Sequence, residues 1–234
     1  METNNGKNHL HSGNRNYGWQ EWRVEKEDGE SVTLSLASPE SFGFPGNQVA
    51  TVRYSLSSEG VLRLEYSIKS DKKCPANPTN HAFFNLNGKS DVRSTIVQMD
   101  SDQYLEVDET LIPTIIKGVD GTDFDFRTPI ALGERRNGAY DHCFIIRENG
   151  KVRAENDKYA LEMTTSLPAM QFYTGERLNR KEKGKEGMDL THFTGFCLES
   201  EYYPDFPNRP DFKGFWVDED HEYKSWTEYR LIKK

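Results

Sequence analysis

The 234-residue chain contains only three cysteines, Cys74, Cys143 and Cys197, and no two of them form a CxxC pair. A set this sparse and odd builds neither a disulfide framework nor a cysteine zinc site. Cys143 and Cys197 lie in apolar stretches and read as small buried hydrophobes, which suits a reducing compartment; a cytoplasmic location is expected. An HExxH spacing is also missing, and His9 and His11 suit a ligand pair only loosely, so neither a metal nor any other cofactor is expected. No apolar run is long enough to span a membrane, and the polar start METNNGKNHLHSG lacks the apolar core of a secretion signal. Positive charge is scarce, with 30 Lys and Arg against 38 Asp and Glu and a net charge of −8. The one dense cationic patch, RLNRKEKGK at 177–185, is interrupted by Glu182 and reads as a solvated loop. An acidic domain is repelled by phosphate backbones, so nucleic acid is not an expected partner.

A long apolar stripe at helical spacing is absent too. Period-two alternation takes its place. Val32, Leu34 and Leu36 alternate with Thr33, Ser35 and Ala37; Ala50, Val52 and Tyr54 with Thr51, Arg53 and Ser55; Leu62, Leu64, Tyr66 and Ile68 with Arg63, Glu65 and Ser67. Each pattern is a strand with one core face and one wet face. Ser57-Ser58-Glu59-Gly60 joins the last two as a hairpin, with Gly60 supplying a positive φ. Further strands are expected at 94–99, 142–147, 159–166, 169–174, 194–199 and 225–232. The fold class is therefore all-β, a large antiparallel β-sandwich. With no internal repeat and no linker, residues 1–234 are expected to form a single domain. Long loops are expected from Asp100 to Tyr140, from Gly175 to Thr194 and from Glu201 to Glu222, common places for binding residues. Aromatics make up 12% of the chain; they suit stacking on sugar rings and equally suit a β-core.

Three polar clusters exceed ordinary strand and turn chemistry: Asn8 to Gly13, Asn77 to Asn85, and Phe196 to Glu201. Glu199 follows Phe196-Cys197-Leu198, and a carboxylate buried there is costly without a partner. With strand parity it shares a face with Cys197. A Glu and a His in unlike environments can divide base and acid work near neutral pH. Taken alone, His81 reads first as a hydrogen-bonded structural histidine and second as an acid, and Glu199 divides evenly between the two roles.

The run TNHAFFNL at 79–86 closely resembles the TNHxYFNL signature of aldose 1-epimerases. NNGKNHLHSG (4–13), VDETLIPT (107–114), GTDFDFR (121–127), YDHCFII (140–146), QFYTG (171–175) and GFCLESEYYPDFPN (195–208) also resemble that family's segments, in its order. The resemblance implies a galactose mutarotase-like β-sandwich that interconverts the α and β anomers of aldohexoses such as galactose and glucose. It implies His81 as proton donor and Glu199 as proton acceptor, with His11, Asp141 and Gln171 holding the sugar. The partner it implies is the small aldohexose alone, with no cofactor. His142, one residue from Asp141, faces the other side of a strand and reads as structural.

Two departures carry further expectations. Ser12 replaces the first glycine of the family's LHGG segment, and the strands that precede that segment, with their sugar-binding Asn-Arg pair, are not in this chain. The sandwich is thus expected to be short at its N-terminus, with an exposed sheet edge that invites self-association. The rival reading is a catalytically weak carbohydrate-binding β-sandwich lacking that arginine. A hexose-6-phosphate epimerase would want a cluster of Arg or Lys, which the motif segments lack.

Overall fold

The computed structural model describes residues 2–88 and 91–234. In chain order its strands are β1 (Arg23–Glu27), β2 (Ser31–Ser38), β3 (Gln48–Leu56), β4 (Val61–Ser70), β5 (Cys74–Pro75) and β6 (Ile96–Met99). There follow β7 (Ser101–Val107), β8 (Pro113–Gly118), β9 (Ile130–Ala131), β10 (Asp141–Ile146) and β11 (Val152–Glu155). The last are β12 (Tyr159–Thr165), β13 (Ala169–Tyr173), β14 (Cys197–Glu201), β15 (Trp216–Val217) and β16 (Tyr223–Lys233). Only short 3-10 turns interrupt them, so the all-β, antiparallel expectation holds. The chain divides into two compact units, Met1–Asn77 with Gly214–Trp226, and Pro78–Lys213 with Thr227–Lys234.

In the first unit β1 to β4 form an antiparallel meander in chain order. The alternation in the sequence sets its faces. Leu36 pairs with Ala50 and Ala50 with Ile68; all three are buried, whereas Arg53 and Lys69 are exposed. Gly60 has φ 75°, and its N–H donates to the Ser57 carbonyl as the hairpin turn requires. Strand β1 ends this meander and is exposed throughout. Its sequence, RVEKE, places charges along the edge, a device that disfavours the addition of another strand.

The second unit holds a five-stranded sheet in the order β14-β13-β10-β7-β8. It also holds an antiparallel set in which the Thr227–Lys233 part of β16 pairs β12, β12 pairs β11, β11 pairs β6 and β6 pairs β9. The two layers meet across a core. On β14 the period of two sends Leu198 and Ser200 inward, where the Ser200 and Thr227 hydroxyls share a 2.5 Å hydrogen bond and the Tyr229 hydroxyl donates to the Leu198 carbonyl at 2.7 Å. Phe126, Tyr140, Phe144, Phe172 and Phe196 fill the space and are at most 2% exposed. Fully burying each such side chain contributes about 1.5–3 kcal/mol. The other face of the five-stranded sheet is covered at one end by Tyr203, Phe206 and Phe212 packed on Leu105, Cys143 and Ala169.

The expected loop from Asp100 to Tyr140 is corrected: it contains β7, β8 and β9. Its strands hid because β7 buries the adjacent pair Tyr104 and Leu105 instead of alternating, and β8 is an edge strand with Pro113 as its one buried residue. From Gly175 to Thr194 only a 3-10 turn at Lys185–Gly187 interrupts the loop, and the loop from Glu201 to Glu222 contains β15.

Gly175, at φ +70°, is a close-approach position: a Cβ there would lie 2.6 Å from the Gly195 carbonyl oxygen. Both the left-handed conformation and the backbone clash oppose any side chain. Gly175→Ala is therefore expected to lower unfolding stability by at least about 1–2 kcal/mol, measured by chemical denaturation. An unchanged denaturation midpoint would show that the 175 and 195 segments need not approach so closely.

Candidate active site

The site in the second unit begins with strand register. Cys197 pairs with Tyr173, and Glu199 with Gln171; across β10, Tyr173 pairs with Asp141 and Gln171 with Cys143. Because side chains alternate, Glu199, Gln171 and Asp141 project from one face. The Gln171 Nε2 group donates to Asp141 Oδ1 at 2.7 Å, which orients both side chains.

His81 comes from outside the sheets. Its segment is held to the start of β14 by reciprocal backbone hydrogen bonds, Phe84 N–H to the Phe196 carbonyl at 2.8 Å and Phe196 N–H to the Phe84 carbonyl at 2.9 Å. The Asn85 amide donates to the Thr194 carbonyl at 3.0 Å. Upstream, the Asn80 amide donates to the Tyr229 hydroxyl at 3.4 Å, the same hydroxyl that donates to Leu198. These ties bring His81 Nε2 to 3.6 Å from Glu199 Oε1, an ion-pair contact longer than a good hydrogen bond. The other ring nitrogen, Nδ1, lies 3.4 Å from Cys197 Sγ, and the ring stacks on Phe83 at 5.4 Å between centroids.

Burial divides the pair. The Glu199 side chain is 8% exposed and that of His81 36%. Desolvation, with Asp141 adding like-charge repulsion, pushes the Glu199 carboxyl up to about 8. His81 is held below its ordinary value of 6.5 by partial burial, against a backbone hydrogen bond and the Asp141 charge, which both favour the imidazolium. Each group is therefore biased toward its neutral form, with one proton between them. Two residues along β14, Glu201 carries a carboxyl raised well above its ordinary value by burial and by Glu199.

Four of the five residues singled out in the sequence thus stand in the second unit, three on one sheet face and His81 against Glu199. The fifth, His11, belongs to the first unit. It sits in a left-handed turn, φ 48°, within a loop braced by hydrogen bonds both ways between Asn4 and Leu10. His142 faces the opposite side from Asp141 and is buried against Phe124 at 4.6 Å; burial, reinforced by Arg136, lowers its pKa to about 4. Sequence reasoning gave Cys197 no role, although its parity with Glu199 was legible. His81, Cys197 and Glu199 offer donor atoms within 4.8 Å of one another, the arrangement among the described residues that could hold a metal ion. Burial strongly favours the protonated Cys197 thiol over the thiolate that would serve as ligand.

A family model described as aldose 1-epimerase matches residues 1–230. The chain is 36% identical to the aldose 1-epimerase of Escherichia coli K12, covering 99% of this chain and 72% of that protein. It is 35% identical to the galactose mutarotase of Rattus norvegicus, covering 99% and 71%. Among solved structures, an aldose epimerase homologue from C. elegans superimposes with a TM-score of 0.94 at 28% identity, over 100% of this chain and 75% of that one. The galactose 1-epimerase of Lactobacillus acidophilus gives a TM-score of 0.85 at 26% identity, over 100% and 72%.

The raised Glu199 carboxyl has a stability consequence with a definite sign. Unfolded, the group ionises near its ordinary 4.5; folded, it keeps its proton up to about 8. The folded state binds more protons in this window, so the Glu199 contribution to stability falls as pH rises through it. Glu199→Gln removes that loss. The variant's melting temperature relative to the parent is expected to rise between pH 5 and pH 8; a difference independent of pH would refute the buried, proton-holding carboxyl.

Proposed function

The chain belongs to the aldose 1-epimerase family and is an isomerase of aldose anomers, and on that premise we propose that Glu199 and His81 are the acid–base pair that opens and recloses the sugar ring. The observation that carries this reading is the 3.6 Å contact between the His81 imidazole and the buried Glu199 carboxyl. In the charged tautomer, Glu199 accepts the proton of the C1 hydroxyl while the His81 imidazolium donates to the ring oxygen. The C1–O5 bond breaks and leaves an aldehyde. Glu199 is now the acid and His81 neutral, the protonation states that burial favours. Ring opening thus converts an ion pair into two neutral groups, and the desolvation that opposes the charges before the step assists it. Rotation about C1–C2 presents the other aldehyde face. Closure then returns the O5 proton to His81 and the Glu199 proton to the anomeric oxygen.

Asp141 and Gln171 bind sugar hydroxyls in this reading. Their mutual hydrogen bond orients a carboxylate and an amide, groups of the kind that hydroxyl recognition requires. His11 is assigned to the sugar by family resemblance. The substrate is an aldohexose such as galactose or glucose, and the enzyme is assigned to the cytoplasm. No helix among the described residues is long and apolar enough to cross a membrane.

Polarimetry on freshly dissolved α-D-galactose tests the reading. Micromolar protein is expected to accelerate mutarotation over buffer, and Glu199→Gln and His81→Asn each to lose about 10²–10⁴-fold in kcat. Full activity in Glu199→Gln would remove the assigned base. Sugar binding without acceleration would favour the rival reading of a carbohydrate-binding sandwich.

The pH profile follows from the shared proton. Below the lowered His81 value a second proton leaves no base; as pH passes about 8 the remaining proton departs and leaves no acid. A plot of kcat/KM against pH is expected to be bell-shaped, with its acid limb below 6.5 and its alkaline limb near 8. A profile flat from pH 5 to 9 would exclude a pair that works with one proton.

A further inference from the structure

Cys197 is fully buried at the start of β14, and the acid–base assignment gives it no task. It nevertheless meets the pair. By parity it shares a strand face with Glu199, and its Sγ lies 3.4 Å from Nδ1 of His81. The other ring nitrogen, Nε2, lies 3.6 Å from Glu199 Oε1. One imidazole is thus bracketed by a thiol and a carboxyl, and one donor atom from each of the three residues falls within 4.8 Å of the other two.

These lengths suit a single ion. A tetrahedral zinc with Zn–S of about 2.3 Å and Zn–N of about 2.0–2.1 Å sets sulfur and nitrogen roughly 3.5 Å apart. The thiol and the imidazole already stand at 3.4 Å. The scaffold keeps them there, because the reciprocal hydrogen bonds between Phe84 and Phe196 tie the His81 segment to the residue next to Cys197. A carboxylate oxygen on the same ion would lie roughly 3.3–3.6 Å from each of the other two ligands. Glu199 meets that requirement by turning about its own side-chain bonds, from the Nε2 side of the ring toward the Nδ1 side.

The donor set selects the metal. A thiolate, an imidazole and one carboxylate form a mixed sulfur, nitrogen and oxygen set of the kind zinc accepts. Calcium and magnesium take oxygen ligands and would find one carboxyl here. The Asp141 charge acts on all three groups and favours a cation among them. His81 is partly exposed, which gives a hydrated ion a way to the buried thiol.

We propose that Cys197, His81 and Glu199 form an inhibitory zinc site, in which Zn²⁺ takes the place of the hydrogen between the Cys197 sulfur and the His81 ring and gains the Glu199 carboxylate as third ligand. The S–H bond breaks as the Zn–S bond forms. The thiol proton, with the one that His81 and Glu199 share, leaves to solvent, and no electron is transferred. Once bound, Glu199 no longer accepts the C1 proton and His81 no longer cycles between imidazole and imidazolium. The inhibition rests on the acid–base reading above; the binding does not.

Cobalt(II) serves as an optical probe of the site and Zn²⁺ as the inhibitor. Adding Co²⁺ to the full chain is expected to produce a thiolate-to-cobalt charge-transfer band in the near ultraviolet, which Zn²⁺ abolishes by displacement. Cys197→Ser is expected to remove the band. Calorimetric Zn²⁺ affinity is expected to fall at least about tenfold in each of Cys197→Ser, His81→Asn and Glu199→Gln, since even an outer-shell partner is worth about 10–100-fold. In polarimetry on galactose, Zn²⁺ is expected to suppress mutarotation in step with its occupancy, with recovery on adding EDTA. Cys197→Ser, compared with its own metal-free rate, is expected to need at least about tenfold more Zn²⁺ for half-inhibition, in line with its lost affinity. A charge-transfer band or a Zn²⁺ affinity that persists in Cys197→Ser would overturn the site. A band that depends on Cys197, with galactose turnover undiminished at saturating Zn²⁺, would overturn the inhibitory role and count against His81 and Glu199 as the acid–base pair, while the metal site itself stood.

Discussion

Two backbone hydrogen bonds between Phe84 and Phe196 decide whether this molecule has an imidazole beside its buried carboxyl. Glu199 is placed by a strand and its position follows from sheet register, but His81 stands on an extended segment that could lie elsewhere. The reciprocal bridge makes that segment a local neighbour of β14. The ties from Asn85 to Thr194 and from Asn80 through Tyr229 to Leu198 then fix its direction. Every partner in this lacing is a main-chain carbonyl or a side chain anchored in the core. The 3.6 Å separation of His81 and Glu199 is therefore set by the scaffold, and the weak mutual attraction of two largely neutral groups need not maintain it.

That distinction bears on energetics. A fully formed ion pair at this position would carry the cost of desolvating a carboxylate, which paired geometry only partly recovers. The chain holds the two groups at ion-pair range while burial keeps the charges from persisting. Asp141 works in both directions: its charge favours a protonated His81 and disfavours an ionised Glu199. Both effects retain a proton in the pair, and the proposed exchange of acid and base roles needs one proton held in common.

Much of the fold was legible because the sequence alternates. The strands around 32–37, 50–56 and 62–68 announced themselves through a clean division into apolar and polar faces. β1 did not, since RVEKE is exposed on both sides. β7 did not, since Tyr104 and Leu105 are consecutive and both buried. The candidate site divides in the same way. Glu199 stood out as a carboxylate in an apolar strand, and its face followed from parity with Cys197. Nothing in local pattern could bring His81 across 116 residues to Cys197; only resemblance to a family suggested that the TNH and CLE segments meet. Glu176 and Arg177, which follow β13, were less legible still. Arg177 sat at the head of a charged run that reads as solvated loop, and Glu176 showed no local sign that one of its oxygens would be buried without a hydrogen-bond partner among the described residues.

The face of the five-stranded sheet explains why a site forms where it does. Along β14, β13 and β10 one face changes character from end to end. Ala169, Cys143 and Leu105 lie beneath Tyr203, Phe206 and Phe212, while Cys197, Glu199, Gln171, Tyr173 and Asp141 lie toward the other end. The apolar end excludes water next to Glu201 and Glu199, which raises their carboxyls. The polar end supplies groups that a neutral hydroxylated ligand can engage without a counter-ion. The proposed proton transfers, which create no net charge, need that combination, a dry carboxyl at one boundary and a hydrogen-bonding surface beyond it. The lateral order of the strands supplies both on a single rigid sheet.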